Sequence, residues 1–418
     1  MNRALLLLLL ILSTVCCRAE PLAQATPEEV GMSSGRLERL TAALKAAIDS
    51  GELPGAVIMV ARDGKLIYSR SLGWQNKSEQ VAIHADSIFR IYSMTKPIVS
   101  VAAMTLVEQG KLSLDEPVSK YIPAFADTKV GVESNDASGS PVLKLVEPDR
   151  PVTIQDLLRH TSGLTYQMTG KPTEVKRRYI QANIFSQHWT LETFANAIAK
   201  MPLQYQPGTT WEYGHSTDVL ARVVEVASAM PLDRYIEQAV LDPLQMNDTA
   251  FQVPPEKQGR IAEPIPDKYT GKTPHLIDVR NTVSFFAGGH GLTSTAGDYL
   301  RFSQMLLNGG ELDGKRVLGP LTVRFMASNH LNESISKGSF YIPGPGYGFG
   351  LGFATRLENG QSHWPGSVGE FYWAGYAGTY FWIDPQENLV VSYMSQEPVR
   401  RQHYRVLLRD MVYQSIIQ

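Results

Sequence analysis

The stretch IYSMTKPIV, residues 91 to 99, places Ser93 and Lys96 three positions apart, with Pro97 directly behind the lysine. A serine hydroxyl is a weak nucleophile, so chemistry at Ser93 needs a neighbouring group to take its proton as it attacks. An amine can do this only while neutral, a state that burial and nearby positive charge favour. The spacing alone says little. Ser334-Ile335-Ser336-Lys337 matches it too, but within a polar stretch that has no apolar periodicity. Around Ser93, by contrast, Pro97 is tolerated only in a first helical turn, and Val101, Met104, Leu106 and Val107 continue an apolar helix until Gly110. The expectation is that Ser93 opens a buried helix, where unpaired backbone N–H groups favour an anion and Lys96 lies one turn on along the same face. Taken by themselves, these residues read as readily as a serine cap followed by a surface lysine.

The elements that must position such a pair can be outlined from pattern. Leu37, Leu40, Leu44 and Ile48 recur at helical spacing between Ser33 and Ser50, with Ser33 or Ser34 as cap. The β-prone runs 56–61 and 66–69 flank Asp63-Gly64, a hairpin signal. Near the other end, 370–373, 378–383 and 389–394 are β-prone, 384–388 is a turn, and 400–417 reads as a closing helix. The predicted fold is α/β (α+β): an antiparallel sheet assembled from both ends of the chain and flanked by their helices, plus a mostly helical insertion. The expected boundaries are 26–88 and 296–418 for the sheet part and 89–295 for the helical part, with the site between them. The polar stretch 130–150 and the region 166–189 read as long loops that could border a pocket.

Composition narrows the function classes. The 418 residues are 43% hydrophobic and 19% charged, ordinary for a globular chain, and Lys+Arg 39 against Asp+Glu 41 gives a net charge of −2. Nothing in that balance would draw a polyanion, so nucleic acid is not an expected partner. Residues 1–25 read as a signal peptide, with Arg3 ahead of a leucine-rich run from Ala4 to Val15, and no stable membrane span is expected once it is removed. Cleavage after Ala19 or after Ala25, lipidation at Cys16-Cys17 and an uncleaved anchor are the alternatives at this point. Both cysteines lie in that segment, so the mature chain is expected to have no thiol chemistry, and the leader would make it secreted or periplasmic. The histidines show no H-x-x-x-H spacing, and no metal or other cofactor is expected.

Three further segments carry a resemblance. QYQPGTTWEYGHSTDVLARVVE, from Gln204, resembles the P-G-x-x-[WF]-x-Y-S-N stretch of serine β-lactamases, with Tyr213 at the tyrosine position. DLLRHTSGL, residues 156–164, matches their L-L-x-H-T-S-G-L signature, and Trp373-Ala374-Gly375 stands where they carry K-T-G. The chain is similar to the serine β-lactamase-like superfamily, near class C β-lactamases and D-alanyl-D-alanine carboxypeptidases, and most similar to the family VIII carboxylesterases. The resemblance runs from about residue 26 to 396.

That resemblance implies a role for each matched residue. Ser93 would be the nucleophile, with the base shared between Lys96 and Tyr213, and Tyr213 would hydrogen-bond both and relay the proton. The backbone N–H groups of Ser93 and Tyr376 would form the oxyanion hole. Trp373, Ala374, Gly375, His215 and His290 would line the substrate site. Two departures select among members. His215 replaces an asparagine, and Trp373 replaces the lysine whose charge suits a substrate carboxylate. The expected activity is therefore that of a serine carboxylesterase acting on small-molecule esters of short acyl chain through an acyl-enzyme, with β-lactam hydrolysis at most a weak side activity. β-Lactamase, carboxypeptidase and acyltransferase activities are the near alternatives, and a catalytically silent scaffold is the distant one.

Other residues tempt and are set aside. Gly214-His215-Ser216-Thr217-Asp218 lacks the final glycine of a lipase elbow. His160 is read as a structural hydrogen-bonder and Trp211 as core.

Overall fold

The computed structural model of the chain describes residues 22–139, 141–186 and 188–418. The leucine-rich run and Cys16-Cys17 lie outside the described residues. Eight strands form one antiparallel sheet, in the order 347–349, 354–356, 371–374, 380–384, 389–395, 55–62, 65–76 and 81–82. Strands from the two ends of the chain meet within it, where β1 (Gly55–Arg62) pairs with Leu389–Ser395 in the register Ala56 to Ser395 through Arg62 to Leu389.

All eight residues of β1 are buried. Successive side chains of a strand point to opposite faces, so complete burial requires cover on both sides. The helix Ala296–Leu307 packs on β1, Tyr380–Asp384 and Leu389–Ser395, while α1 (Ser34–Asp49) and the closing helix Arg401–Tyr413 pack together, α1 also meeting β2 (Lys65–Asn76). α1 buries Leu37, Leu40 and Leu44 and is capped by Ser33, whose hydroxyl accepts from Arg36 N–H at 3.3 Å. The β1–β2 turn is made by Asp63 (φ 51°) and Gly64 (φ 73°), the left-handed pair a two-residue hairpin loop of this hand requires.

Between these ends lies a largely helical segment. At its centre, α2 (Thr95–Glu108) buries every residue from Thr95 to Leu106, as expected of a helix apolar all round. Several expectations need correction. α2 begins at Thr95, and Ser93 sits in a short 3₁₀ turn, Tyr92–Met94, ahead of it. Pro97 is in the first turn, as its missing N–H demands. The stretch 130–150 is no loop: Val130–Asn135 pairs with Pro141–Val146 as a hairpin. The region 166–189 contains a helix, Glu174–Gln181, capped by Thr173. Tyr347–Phe349 and Ala354–Arg356, where no strand is expected from periodicity, extend the sheet at its edge. No helix among the described residues is long and apolar enough to cross a membrane.

A buried ionic clasp ties this edge to the closing helix. Glu370, just before the strand Phe371–Ala374, accepts from Arg356 Nε at 3.0 Å and from Arg409 Nη1, and all three side chains are at most 1% exposed. Tyr347 and Tyr413 donate to the same carboxylate, the latter at 2.8 Å. The Arg409 guanidinium also lies 4.5 Å over the Trp382 ring. Removing one partner of such a cluster strands the other charges out of water, which costs more than the pair contributes. Glu370→Ala should therefore lower stability by about 3–5 kcal/mol, read as a reduced denaturant midpoint. An unchanged midpoint would show that the clasp does not hold the edge.

Candidate active site

Ser93 is held by its neighbours on both sides. Tyr92 takes φ 44°, a region that non-glycine residues seldom occupy and that persists only where the surroundings enforce it. The enforcement is visible. Ile91 N–H donates to Leu292 O at 3.1 Å, the Tyr92 hydroxyl accepts from Ile277 N–H at 2.9 Å, and Tyr299 OH donates to Met94 O at 2.9 Å. Thr95 Oγ1 accepts from Leu292 N–H at 3.1 Å, closing the frame at the start of α2.

Lys96 then falls within reach of the serine. Its side chain is 1% exposed, and its Nζ donates to Gly289 O at 2.7 Å, Tyr166 OH at 3.2 Å and Ser93 Oγ at 3.4 Å. All three acceptors are formally neutral. The same nitrogen lies 4.6 Å over the centre of the Tyr213 ring. Gly289 is needed for this approach, since a Cβ there would lie 2.8 Å from Asp218 Oδ1 and 3.0 Å from the Tyr166 hydroxyl.

Tyr213 is fixed by rings. Trp211 stacks on it at 6.0 Å, and His160, Tyr166 and Trp373 approach it at 5.0, 5.4 and 5.5 Å. Its hydroxyl is buried and has no hydrogen-bond partner among the described residues. The sequence expectation that this phenol bonds both Ser93 and Lys96 is thus not realised: the lysine meets the face of the ring instead. His160 is also corrected in detail. Its Nδ1 has no partner among the described residues, and its ring packs on Trp211, Tyr213 and Phe349.

The hydroxyl that Lys96 does touch belongs to Tyr166, a residue whose sequence context places it only at the start of a bordering loop. Burial, reinforced by the Asp218 carboxylate, pushes its phenol well above the usual tyrosine range, so it stays protonated. Its one sequence signal is position, six residues beyond His160 in the H-T-S-G-L stretch.

Asp218 organises the floor of the site. Its Oδ1 accepts from Gly289 N–H at 2.7 Å, and its Oδ2 meets His215 Nδ1 at 2.9 Å. Burial alone would raise this carboxyl, but the His215 hydrogen bond and the neighbouring His215, His290 and Lys96 side chains outweigh it and hold it at about 2. An anion is therefore fixed one residue's backbone away from the amine. His215, expected to touch substrate, is 2% exposed, with its Nε2 at 3.3 Å from Gln167 Oε1. Both ring nitrogens are taken and its ring lies edge-on to Tyr166 at 4.5 Å, so its place is in the support of the site. His290 is drawn down to about 4, chiefly by burial; its Nε2 is enclosed without a partner among the described residues, and its ring stacks on Phe185 at 5.7 Å.

The end of the strand Phe371–Ala374 forms the other wall. Trp373 is only 3% exposed and packs against Tyr213 and Phe349, so it too supports the site and offers substrate little surface. Ala374 is half-buried and Gly375 buried, in contact with the Ile91 carbonyl, where any Cβ would collide. Tyr376 is exposed, its ring 5.4 Å from that of Tyr92. Among the described residues, no hydrogen bond within the protein occupies the N–H of Ser93 or of Tyr376. Ser334, the competing match, bonds Asn332 on the surface and joins no such cluster.

Known proteins resemble this chain in sequence and in fold. The family model described as Beta-lactamase matches residues 39–411. Protein Rv1367c of Mycobacterium tuberculosis (strain ATCC 25618 / H37Rv) is 37% identical over 85% of this chain and 88% of its own. Esterase EstB of Burkholderia gladioli is 36% identical over 51% of each chain. Among solved structures, EstCE1, described as a hydrolase with promiscuous acyltransferase activity, superposes with a TM-score of 0.76 at 27% identity, covering 91% of this chain and 99% of its own. With a buried lysine on α2 beside a serine in the turn that precedes it, and an antiparallel sheet packed against that turn, the chain belongs to the Beta-lactamase family, serine hydrolases of β-lactamase fold whose relatives include esterases, carboxypeptidases and acyltransferases.

Proposed function

We propose that the protein is a carboxylesterase that cleaves small esters, with short acyl chains, through an acyl-enzyme on Ser93. The observation that carries this reading is the dry amine of Lys96 within 3.4 Å of the Ser93 hydroxyl. Ser93 Oγ attacks the ester carbonyl carbon while its proton passes to the amine. The carbonyl oxygen becomes an oxyanion that accepts from the N–H groups of Ser93 and Tyr376. Collapse expels the alcohol, protonated by Lys96 directly or through Tyr213. Water then attacks the acyl carbon, gives its proton to the same amine, and releases the carboxylic acid as Ser93 regains its hydrogen.

The esterase reading over a β-lactamase one rests on Trp373. An indole buried at that strand position supplies no charge for a substrate carboxylate, whereas an uncharged ester asks for none. Acyl transfer to a second alcohol in place of water is the near alternative, since EstCE1 combines hydrolysis with promiscuous acyltransferase activity.

Export is part of the same proposal. Leu66 N–H donates to Ala23 O at 2.8 Å and Ala25 N–H to Leu66 O at 3.2 Å, bonds that a cut after Ala25 would remove. Cleavage after Ala19 keeps them and is the site we favour.

Three measurements test the reading. A fluorophosphonate probe followed by peptide mapping should tag Ser93, Ser93→Ala should abolish the tag, and Ser334→Ala should leave it intact; a tag elsewhere would refute the nucleophile. On one preparation, p-nitrophenyl butyrate should be turned over far faster than nitrocefin, and a large preference for nitrocefin would refute the esterase. Tyr213→Phe should lower kcat by about 100-fold or more, the range of a lost proton relay, and Tyr166→Phe by about 10-fold, the loss of one neutral hydrogen bond. The reverse order would exchange the roles of the two phenols.

A further inference from the structure

The closing helix carries an arginine that the reaction at Ser93 does not obviously need. Arg405 Nη2 donates to Gly375 O at 2.8 Å, and Arg405 Nη1 lies 3.4 Å from Gln402 Oε1. Its Nε is fully enclosed without a partner, and no carboxylate pairs with it among the described residues. Burial, helped by the like charge of Arg401, draws the guanidinium down to about 10, so it stays charged at neutral pH. The residue is partly buried and its guanidinium lies 5.9 Å over the Tyr380 ring, so its one strong hydrogen bond within the protein is the one to the Gly375 carbonyl.

The geometry of the Gly375–Tyr376 peptide gives that bond a consequence. The chain has no cis peptide bond among the described residues. In a trans peptide the C=O and the following N–H point in opposite directions. A carbonyl drawn toward Arg405 therefore turns the N–H of Tyr376 away from that arginine. Gly375 N–H is meanwhile fixed to Thr379 O at 2.9 Å, and Thr379 Oγ1 donates to Ile91 O at 3.3 Å. The peptide thus has its N-terminal side anchored to the strand turn, its carbonyl held closely by a cation and more loosely by Gly378 N–H at 3.4 Å, and its body pressed on the residue that leads into Tyr92 and Ser93. A positive charge on the carbonyl oxygen also draws electrons along the peptide and makes its N–H a stronger donor.

We infer that Arg405 is a positioning residue for acyl transfer: it orients and polarises the Gly375–Tyr376 peptide so that the Tyr376 N–H serves the oxyanion. The inference rests on the proposed reaction at Ser93. Arg405 touches neither substrate nor Ser93 and acts only through this peptide. Its effect should therefore fall on the transition state, where negative charge has moved onto oxygen, and leave ground-state binding almost untouched.

The test compares p-nitrophenyl butyrate with its thiono analogue, in which sulfur replaces the carbonyl oxygen. Sulfur accepts hydrogen bonds poorly, so the oxygen ester's advantage in kcat/KM reports the strength of the oxyanion hole. Wild-type turnover that Ser93→Ala abolishes, on the same preparation, checks the underlying reaction separately. Arg405→Gln should lower kcat on the oxygen ester about 10- to 100-fold, somewhat less than outright loss of an oxyanion donor, with KM within about twofold. The oxygen-to-sulfur ratio should fall by a similar factor. Should the glutamine variant fail to fold, Arg405→Met, whose straight apolar chain suits the enclosed stem, is read in the same way. A kcat within about twofold of wild type, or a lowered kcat with an unchanged ratio, would overturn the inference.

Discussion

Most of this structure can be understood as the means of keeping one amine dry beside one hydroxyl. Lys96 is 1% exposed, and transferring an ammonium from water to a protein interior costs several kcal/mol even after the surroundings relax. Three oxygens and the face of Tyr213 offset part of that cost, and the Asp218 carboxylate acts at one remove through Gly289. Apart from Ser93, none of these contributors is near Lys96 in sequence. The loop at Tyr166, the strand-to-helix passage at Tyr213 and the glycine turn at Gly289 must all converge on α2. A buried helix with the serine at its mouth is what allows them to converge from several sides.

The sheet meets the same demand from outside. Its strand Phe371–Ala374 brings Trp373 against Tyr213 and Gly375 against Ile91, so the serine turn and the strand end are one packed unit. The ionic clasp at Glu370 joins that strand to the closing helix just ahead of Trp373, with only Phe371 and Tyr372 between. The closing helix then returns Arg405 to the Gly375 carbonyl. Stability and site geometry are coupled here through one short segment, which a helix from the far end of the chain braces at two points.

How much of this could be read beforehand depended on the range of the interactions. The central strands were legible because β1 and Leu389–Ser395 are largely apolar runs, a pattern that strands buried on both faces must have. Ser93 and Lys96 were legible because Pro97 and the apolar run after it fix a helix start to within a turn. The start itself was misplaced by two residues, because the 3₁₀ turn at Tyr92 is enforced by Leu292 and Ile277, distant residues no local pattern contains. The edge strands Tyr347–Phe349 and Ala354–Arg356 are only three residues each, too short for periodicity to register. Tyr166 escaped for a similar reason: its importance lies in where its loop is delivered. His215 and Trp373 were read as substrate contacts because they occupy positions where relatives carry polar groups, yet position in a motif does not fix exposure. Their burial follows from the aromatic cluster that Tyr166, Phe185, Phe194 and Phe349 build around them.

The two phenols at the amine differ in a way that bears on how a proton could move. Tyr166 accepts from Lys96, and its own proton is retained because burial and the nearby Asp218 anion both penalise a phenolate. A hydroxyl in that state can steady the amine but is poorly placed to take a proton from it. Tyr213 presents its ring to the amine, and its buried hydroxyl hydrogen-bonds no other group among the described residues. On the proposed reaction that hydroxyl can donate to the departing alcohol oxygen. A bond from Tyr213 to another protein group would have to be broken before each turnover. With no such bond to break, the donation goes wholly to the step in which the alcohol leaves.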